Sequence, residues 1–310
     1  MSTDPSRLIG SFDQAKAGTF LVFLGGIHGN EPAGVRALER VFQRLEEIKP
    51  DFKGILWGLC GNCRALGDGK RYIDRDLNRL WGTEDIAKIR KKEAAVLQSE
   101  EQELLDLLTY FEKAVESPKE ELVFVDLHTT SGNGGFFSII TRNSKNRKLA
   151  EHLLAPIIFN LVDELKVTTA NYFDRKGICS LTFEAGQHDH PASIDLHEAA
   201  IWILLEACGN IKKEDISEFD SSYRQRLENA AETLPSYLDF QYRHNIASSD
   251  QFEMKPGYRN FSRISKGEAL ATDKNGTVYS PLDGIMLMPL YQKQGGDGFF
   301  ITKELEKAPV

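Results

Sequence analysis

Between Leu21 and Gly34 the chain runs Leu-Val-Phe-Leu-Gly-Gly-Ile-His28-Gly-Asn-Glu31-Pro-Ala-Gly, and no other stretch restricts the fold as much. Four apolar residues in a row fit a strand covered on both faces better than one with a wet side. Gly25, Gly26 and Gly29 permit turns that a side chain would forbid. Pro32 suits the first turn of a helix, where its missing N–H has no partner to lose. The segment therefore predicts a buried strand, a tight loop and a helix. Its loop carries His28 and Glu31, an imidazole and a carboxylate able to converge on one cation. Two ligands do not make a zinc site, so a third must come from elsewhere in the chain.

The same alternation continues downstream. The helix predicted from Pro32 to Ile48 presents Val35, Leu38, Val41, Phe42 and Leu45 as an apolar stripe, and Gly54–Leu59 reads as a second buried strand. Strand, helix and strand make a right-handed βαβ unit. A loop from Gly61 leads to Arg71. Thr83–Ser117 reads as a charged helix, whose basic run Lys88–Lys92 is a solvated face because acidic residues follow it closely. Further strands are predicted at Leu122–His128, Phe136–Thr141 and Ile178–Gly186, and helices at Lys148–Lys166 and Asp195–Cys208. The expected fold class is α/β, a mainly parallel sheet sandwiched by helices, with a smaller C-terminal all-β domain. Composition shifts near Gly209, and from Pro235 short strands are punctuated by turns such as Lys274-Asn-Gly276 and Leu282-Asp-Gly284. These shifts predict a catalytic domain over 1–211, a helical connector over 212–234, and a β domain over 235–310 that caps the cleft.

A net charge of −8 and a pI near 5.5 argue against a nucleic-acid partner, which would call for a basic stripe. Met1–Lys16 is polar and lacks the apolar core of a signal peptide, and no run is long and apolar enough to span a membrane. Four cysteines in 310 residues are no disulfide framework. Cys60-Gly-Asn-Cys63, without a second such pair, reads as a strand-end loop and not a zinc site. A cytoplasmic protein with no nucleic-acid or membrane partner is expected, and homo-oligomerisation is left open.

Polar residues at the carboxyl ends of parallel strands lie where α/β sheets bind ligands. His28, Glu31, Asp126, His128 and Glu184 all fall at or just past such ends. His28, Glu31 and His128 would make a two-histidine, one-carboxylate zinc site with a position open for water. The expected cofactor is one Zn2+ per chain, lowering the pKa of its bound water and polarising a substrate carbonyl. Glu184 is not needed as a ligand and would act as the general base on that water. Asp126 shares a face with His128, either supporting it from behind or simply satisfied at the sheet end. The run Arg71-Tyr-Ile-Asp-Arg-Asp-Leu-Asn78-Arg79 suits an anionic substrate, or else is a surface loop with ion pairs through Asp74 and Asp76. His188-Asp-His190 reads as a loop of polar histidines, while His152, His197 and His244 are taken as structural.

Four motifs in order, Gly-Gly-Ile-His28-Gly-Asn-Glu31, Arg71 to Arg79, Val-Asp126-Leu-His128-Thr-Thr-Ser and Phe-Glu184-Ala-Gly, resemble the succinylglutamate desuccinylase/aspartoacylase family. The later Leu-Met-Pro-Leu-Tyr-Gln-Lys-Gln-Gly-Gly-Asp-Gly-Phe-Phe is similar to the family's C-terminal segment. The resemblance implies a zinc carboxypeptidase-like fold and hydrolysis of the amide bond of a small, anionic N-acyl amino acid. It implies zinc on His28, Glu31 and His128, water activation by Glu184, and an oxyanion held by Arg71. It also implies that Asn78 and Arg79 grip the substrate carboxylate. The family's aspartoacylases place a Tyr and an Arg upstream of the catalytic Glu, which makes Arg175, near Tyr172, a substrate-binding expectation despite its different spacing. Where they offer a C-terminal Tyr to substrate, this chain has Gly295–Gly298. The alternatives are a metallocarboxypeptidase acting on short peptides and a non-catalytic, metal-bearing binding protein.

Overall fold

The computed structural model describes residues 6–117, 120–217 and 219–309. Met1–Pro5 of the polar start, Pro118 and Lys119, Glu218 in the predicted connector, and Val310 lie outside the described residues.

In chain order the first half is β1 Leu8–Asp13, β2 Phe20–Gly25, α1 Ala33–Ile48, β3 Ile55–Cys60, α2 Cys63–Asp68, α3 Thr83–Ile89, α4 Ser99–Glu116 and β4 Leu122–Thr130. Then come β5 Phe137–Ile139, α5 Ser144–Glu151, β6 Ile157–Phe159, α6 Leu161–Leu165, α7 Thr169–Asp174, β7 Cys179–Gln187, α8 Pro191–Ala207 and α9 Gln225–Ala231. Seven strands follow: β8 Tyr237–Asn245, β9 Glu253–Met254, β10 Ser262–Ile264, β11 Ala269–Asp273, β12 Gly276–Tyr279, β13 Gly284–Leu287 and β14 Asp297–Leu305.

One sheet of eleven strands runs in the order β1-β3-β2-β4-β7-β5-β6-β8-β14-β13-β10. Its centre, β3-β2-β4-β7, is parallel, and β5-β6-β8 is a second parallel group joined to β7 by an antiparallel pairing. The strands after Pro235 continue this sheet antiparallel from β8, while β9, β11 and β12 form a separate three-stranded sheet.

Every residue of β2 and β4 is buried, because both faces of the central sheet are covered. Leu21 and Phe23 point into a core shared with Leu38 of α1 and Trp202 of α8, and Phe20, Val22 and Leu24 into one shared with Phe111 of α4 and Phe173 of α7. This two-sided packing is why the strands read as unbroken apolar runs. Among the described residues, no helix is long and apolar enough to cross a membrane.

Several predicted elements differ. The polar start contains an edge strand, β1, antiparallel to β3 and only half-buried, so its pattern carries little apolar signal. Gly61–Gly69 is not all loop but holds the short helix α2, whose N-cap Asn62 accepts the N–H of Ala65. The single helix expected over Lys148–Lys166 is three elements, α5, β6 and α6. Pro156 precedes β6, and a short apolar run such as Ile157-Ile158-Phe159 fits either period. The helix expected over Thr83–Ser117 is likewise two, α3 and α4, the second opened by a capping box between Gln98 and Glu101.

Candidate active site

Strand β2 has β3 on one side and β4 on the other, and the chain leaves β2 through α1 towards β3. Its carboxyl end is thus a switch point, where the loops part and open a crevice. His28 and Glu31 sit in the loop that leaves it. Gly26 takes φ +69, a backbone region that β-carbons disfavour. A side chain on Gly29 would put its Cβ 2.1 Å from the backbone of Ala65 in α2, so the loop is pressed flat against that helix. From the neighbouring strand ends come His128 on β4 and Glu184 on β7, directly paired in the sheet register.

The three expected ligands converge. Donor atoms of His28, Glu31 and His128 lie within 4.8 Å of one another, and all three residues are buried. His28 Nδ1 is 2.9 Å from Glu31 Oε1, and His128 Nδ1 is 3.2 Å from Glu31 Oε2. The opposite nitrogens face other carboxylates: His28 Nε2 is 3.1 Å from Asp76 Oδ1 and His128 Nε2 is 3.2 Å from Asp126 Oδ2. An ionised carboxylate only accepts, so Asp76 and Asp126 fix the proton on each Nε2. Both Nδ1 lone pairs are then turned to the Glu31 carboxylate, an arrangement that needs positive charge between acceptors. Burial works against charge on His128, but Asp126 and Glu31 outweigh it and hold the imidazole well above its usual pKa. Burial would raise Glu31, yet His28 and His128 hold it well below the usual carboxylate range. The donor set and its backing carboxylates therefore fit a divalent cation.

Glu184 stands apart from this network. Its Oε2 is buried with no hydrogen-bond partner among the described residues. Burial pushes its carboxyl up to about 8; His128 pulls the other way, and Glu31 adds repulsion. Arg71 reaches Glu31 Oε1 (3.3 Å) and Asp76 Oδ2 (3.2 Å), so its guanidinium is aimed at the ligand cluster. Asn78 is buried, and its Oδ1 accepts the N–H of Thr169 at 3.0 Å, tying the Arg71–Arg79 segment to α7. Arg79 donates to Asp297 Oδ2 at 2.9 Å. The loop reading of this segment as surface ion pairs is set aside for Asp76, which is largely buried inside the site.

Arg175 is not brought in. Its guanidinium donates to the carbonyls of Trp81 and Lys166 and is absent from the cleft lining. At the C-cap of α7, Arg175 instead clamps those two carbonyls. His188 lines the cleft, bonded to Thr129 Oγ1 (2.7 Å) and Gln292 Oε1 (3.1 Å), whereas His190 caps α8.

Residues not singled out from the sequence complete the site. Gln292 also accepts from Asn30 at 2.6 Å, while Gln294 accepts the N–H of Arg71 and donates to the carbonyl of Tyr72. The segment ahead of β14 is thus stitched to the His28 and Arg71 loops as a roof. The cleft beneath it is lined by His28, Glu31, Arg71, Asn78, Arg79, His128 and Glu184 together with apolar side chains.

Residues 17–218 match the Succinylglutamate desuccinylase/Aspartoacylase catalytic domain. The chain belongs to the succinylglutamate desuccinylase/aspartoacylase family. Within that family it is similar to a probable aspartoacylase of Nostoc sp., at 34% identity over 134 residues, 40% of this chain and 39% of that protein. The match thus spans about two fifths of the Nostoc protein. A succinylglutamate desuccinylase of Pseudomonas putida aligns over 83% of this chain and 73% of its own length at 25% identity. A solved succinylglutamate desuccinylase/aspartoacylase from Rhodobacter sphaeroides superposes with a TM-score of 0.65, covering 94% of this chain and 87% of that one. At 16% identity this shows the shared fold.

Proposed function

We propose that the chain is a zinc-dependent deacylase that hydrolyses the amide bond of a small N-acyl amino acid. One observation carries the reading: two imidazole Nδ1 atoms converge on the Glu31 carboxylate while a buried Glu184 oxygen, unpartnered among the described residues, lines the same cleft. A pure binding site would need no such free base. Zinc held by His28, Glu31 and His128 would supply the Lewis acidity that makes water nucleophilic at neutral pH.

Glu184 takes the proton of the attacking water and passes it to the leaving amine, a task its burial-raised basicity suits. Arg71, fixed by Glu31 and Asp76, meets the oxygen that becomes negative as the carbonyl is attacked. Asn78 and Arg79 hold the substrate carboxylate. Residues 235–310 act as the cap, since Gln292 and Gln294 bridge to Asn30 and to the Arg71 segment at the site and so disfavour a long peptide. Four cysteines, all free, suit a reducing cytoplasm.

The test is free-amine release from a panel of N-acyl amino acids by the zinc-loaded protein beside Glu184→Gln. The variant is expected to keep its zinc, by elemental analysis, and lose about 10²- to 10⁴-fold in kcat. An active Glu184→Gln protein would remove Glu184 as the base. Cleavage of dipeptides with no deacylation would replace the reading with a carboxypeptidase.

A further inference from the structure

We infer that this cleft takes an N-acyl amino acid with an apolar side chain and a single carboxylate, not an acidic one. The inference rests on the deacylase reading and deepens it by naming the substrate class. Two features of the lining carry it.

The first is an apolar wall. Ile139, Val162, Leu165, Met288, Leu290 and Phe300 all line the cleft. All but Leu290 belong to one hydrophobic cluster, built from β5, α6, β14 and the segment after β13. The wall lies beside the carboxylate-gripping pair. Asn78 is bonded to Thr169, just after the lining residue Thr168, and Arg79 is bonded to Asp297, three residues before Phe300 on the same strand. A substrate whose carboxylate rests on Asn78 and Arg79 would therefore turn its amino-acid side chain onto this wall.

The second is the supply of positive charge. The Lys and Arg side chains lining the cleft, among the described residues, are Arg71 and Arg79. Arg71 is already held by two carboxylates. Arg79 shares Asp297 with Arg243, whose Nε lies 2.6 Å from Asp297 Oδ1. Arg243 is also paired with Glu164 at 3.9 Å, so Arg79, bonded to the one carboxylate Asp297, is the lining cation left to meet a single substrate carboxylate. A second carboxylate, on an aspartyl or glutamyl side chain, would be desolvated against the wall with no cation to meet it. That penalty is far larger than the gain from a matching methylene, which itself changes specificity by about 10- to 200-fold.

The experiment compares kcat/KM for N-acetyl-leucine, N-acetyl-methionine and N-acetyl-phenylalanine with N-acetyl-aspartate and N-acetyl-glutamate. Binding of the same compounds to zinc-loaded Glu184→Gln is measured alongside by calorimetry. The apolar set is expected to lead the acidic set by about 100-fold or more in both readouts. In Leu165→Arg, which adds a cation to the partly exposed edge of the wall, that ratio should fall at least tenfold. An acidic compound cleaved as well as an apolar one would overturn the inference and leave the deacylase reading intact. If nothing is cleaved but calorimetry still ranks the apolar set first, the deacylase reading falls and the substrate class stands. If acidic compounds bind as tightly as apolar ones, or nothing binds, the inference falls.

Discussion

Each imidazole of the site turns one nitrogen to Glu31 and gives the other to a carboxylate behind it. Asp126 is the more deeply placed of these two backing groups: it is fully buried, and its second partner is the hydroxyl of Thr169. Replacing it by Asn would let an amide N–H face the His128 Nε2–H and weaken the orientation of the ring. Asp126→Asn is expected to lower zinc affinity about 10- to 100-fold, read by competition with a chromogenic chelator. Unchanged affinity would reduce Asp126 to a satisfied sheet-end group. The convergence of His28, Glu31 and His128 was legible in the sequence, because strand-end position and residue type coincide at all three. The backing pair was only half legible. Asp126 shares a strand face with His128, but nothing in Asp-Arg-Asp says that Asp76 turns inward and Asp74 does not. Arg175 shows the same limit, since closeness in sequence to Tyr172 does not say that its guanidinium bonds the carbonyls of Trp81 and Lys166.

The element that most deserves to be called a scaffold is the start of α4. Glu100, buried at the helix N-terminus, accepts the backbone N–H groups of Ile73 (2.6 Å), Asp74 (2.9 Å) and Arg75 (3.2 Å), and a bond from Asn62 (3.1 Å). One carboxylate thereby folds the Arg71–Arg79 segment and ties it to α2, against which the Gly29 loop is pressed. Removing it would orphan several donors at once. Glu100→Ala is expected to lose about 3 kcal/mol or more of stability, by urea denaturation, and to lower activity through Arg71. A loss below about 1 kcal/mol would show that water replaces the carboxylate. In sequence, Glu100 lies in an acidic run that reads as helix surface. Periodicity finds a helix but does not reveal a loop folded over its first turn. It also merged α5, β6 and α6, since three apolar residues are too few to distinguish a period of 2 from one of 3.6.

At the scale of the whole molecule, the α/β order of the first 200 residues was legible because buried parallel strands announce themselves as apolar runs. The strand character after Pro235 was legible too, from its turns. What no local pattern encodes is partnership over long separations, such as β8 beside β6 or Gln294 bonded to Arg71. The β6–β8 pairing, Ile157 with Tyr237 through Phe159 with Asp239, has a consequence for how the chain can be divided. A protein cut after residue 234 keeps His28, Glu31, His128 and Glu184 but leaves β6 as an open edge, with Ile139, Val162 and their neighbours stripped of β14. Such an edge is a template for other chains. The 1–234 fragment is therefore expected to self-associate in light scattering, and a monodisperse, folded fragment would show that the later strands are an independent addition. The run of strands that brings Met288 and Phe300 to the cleft also covers, through β8, the edge of β6.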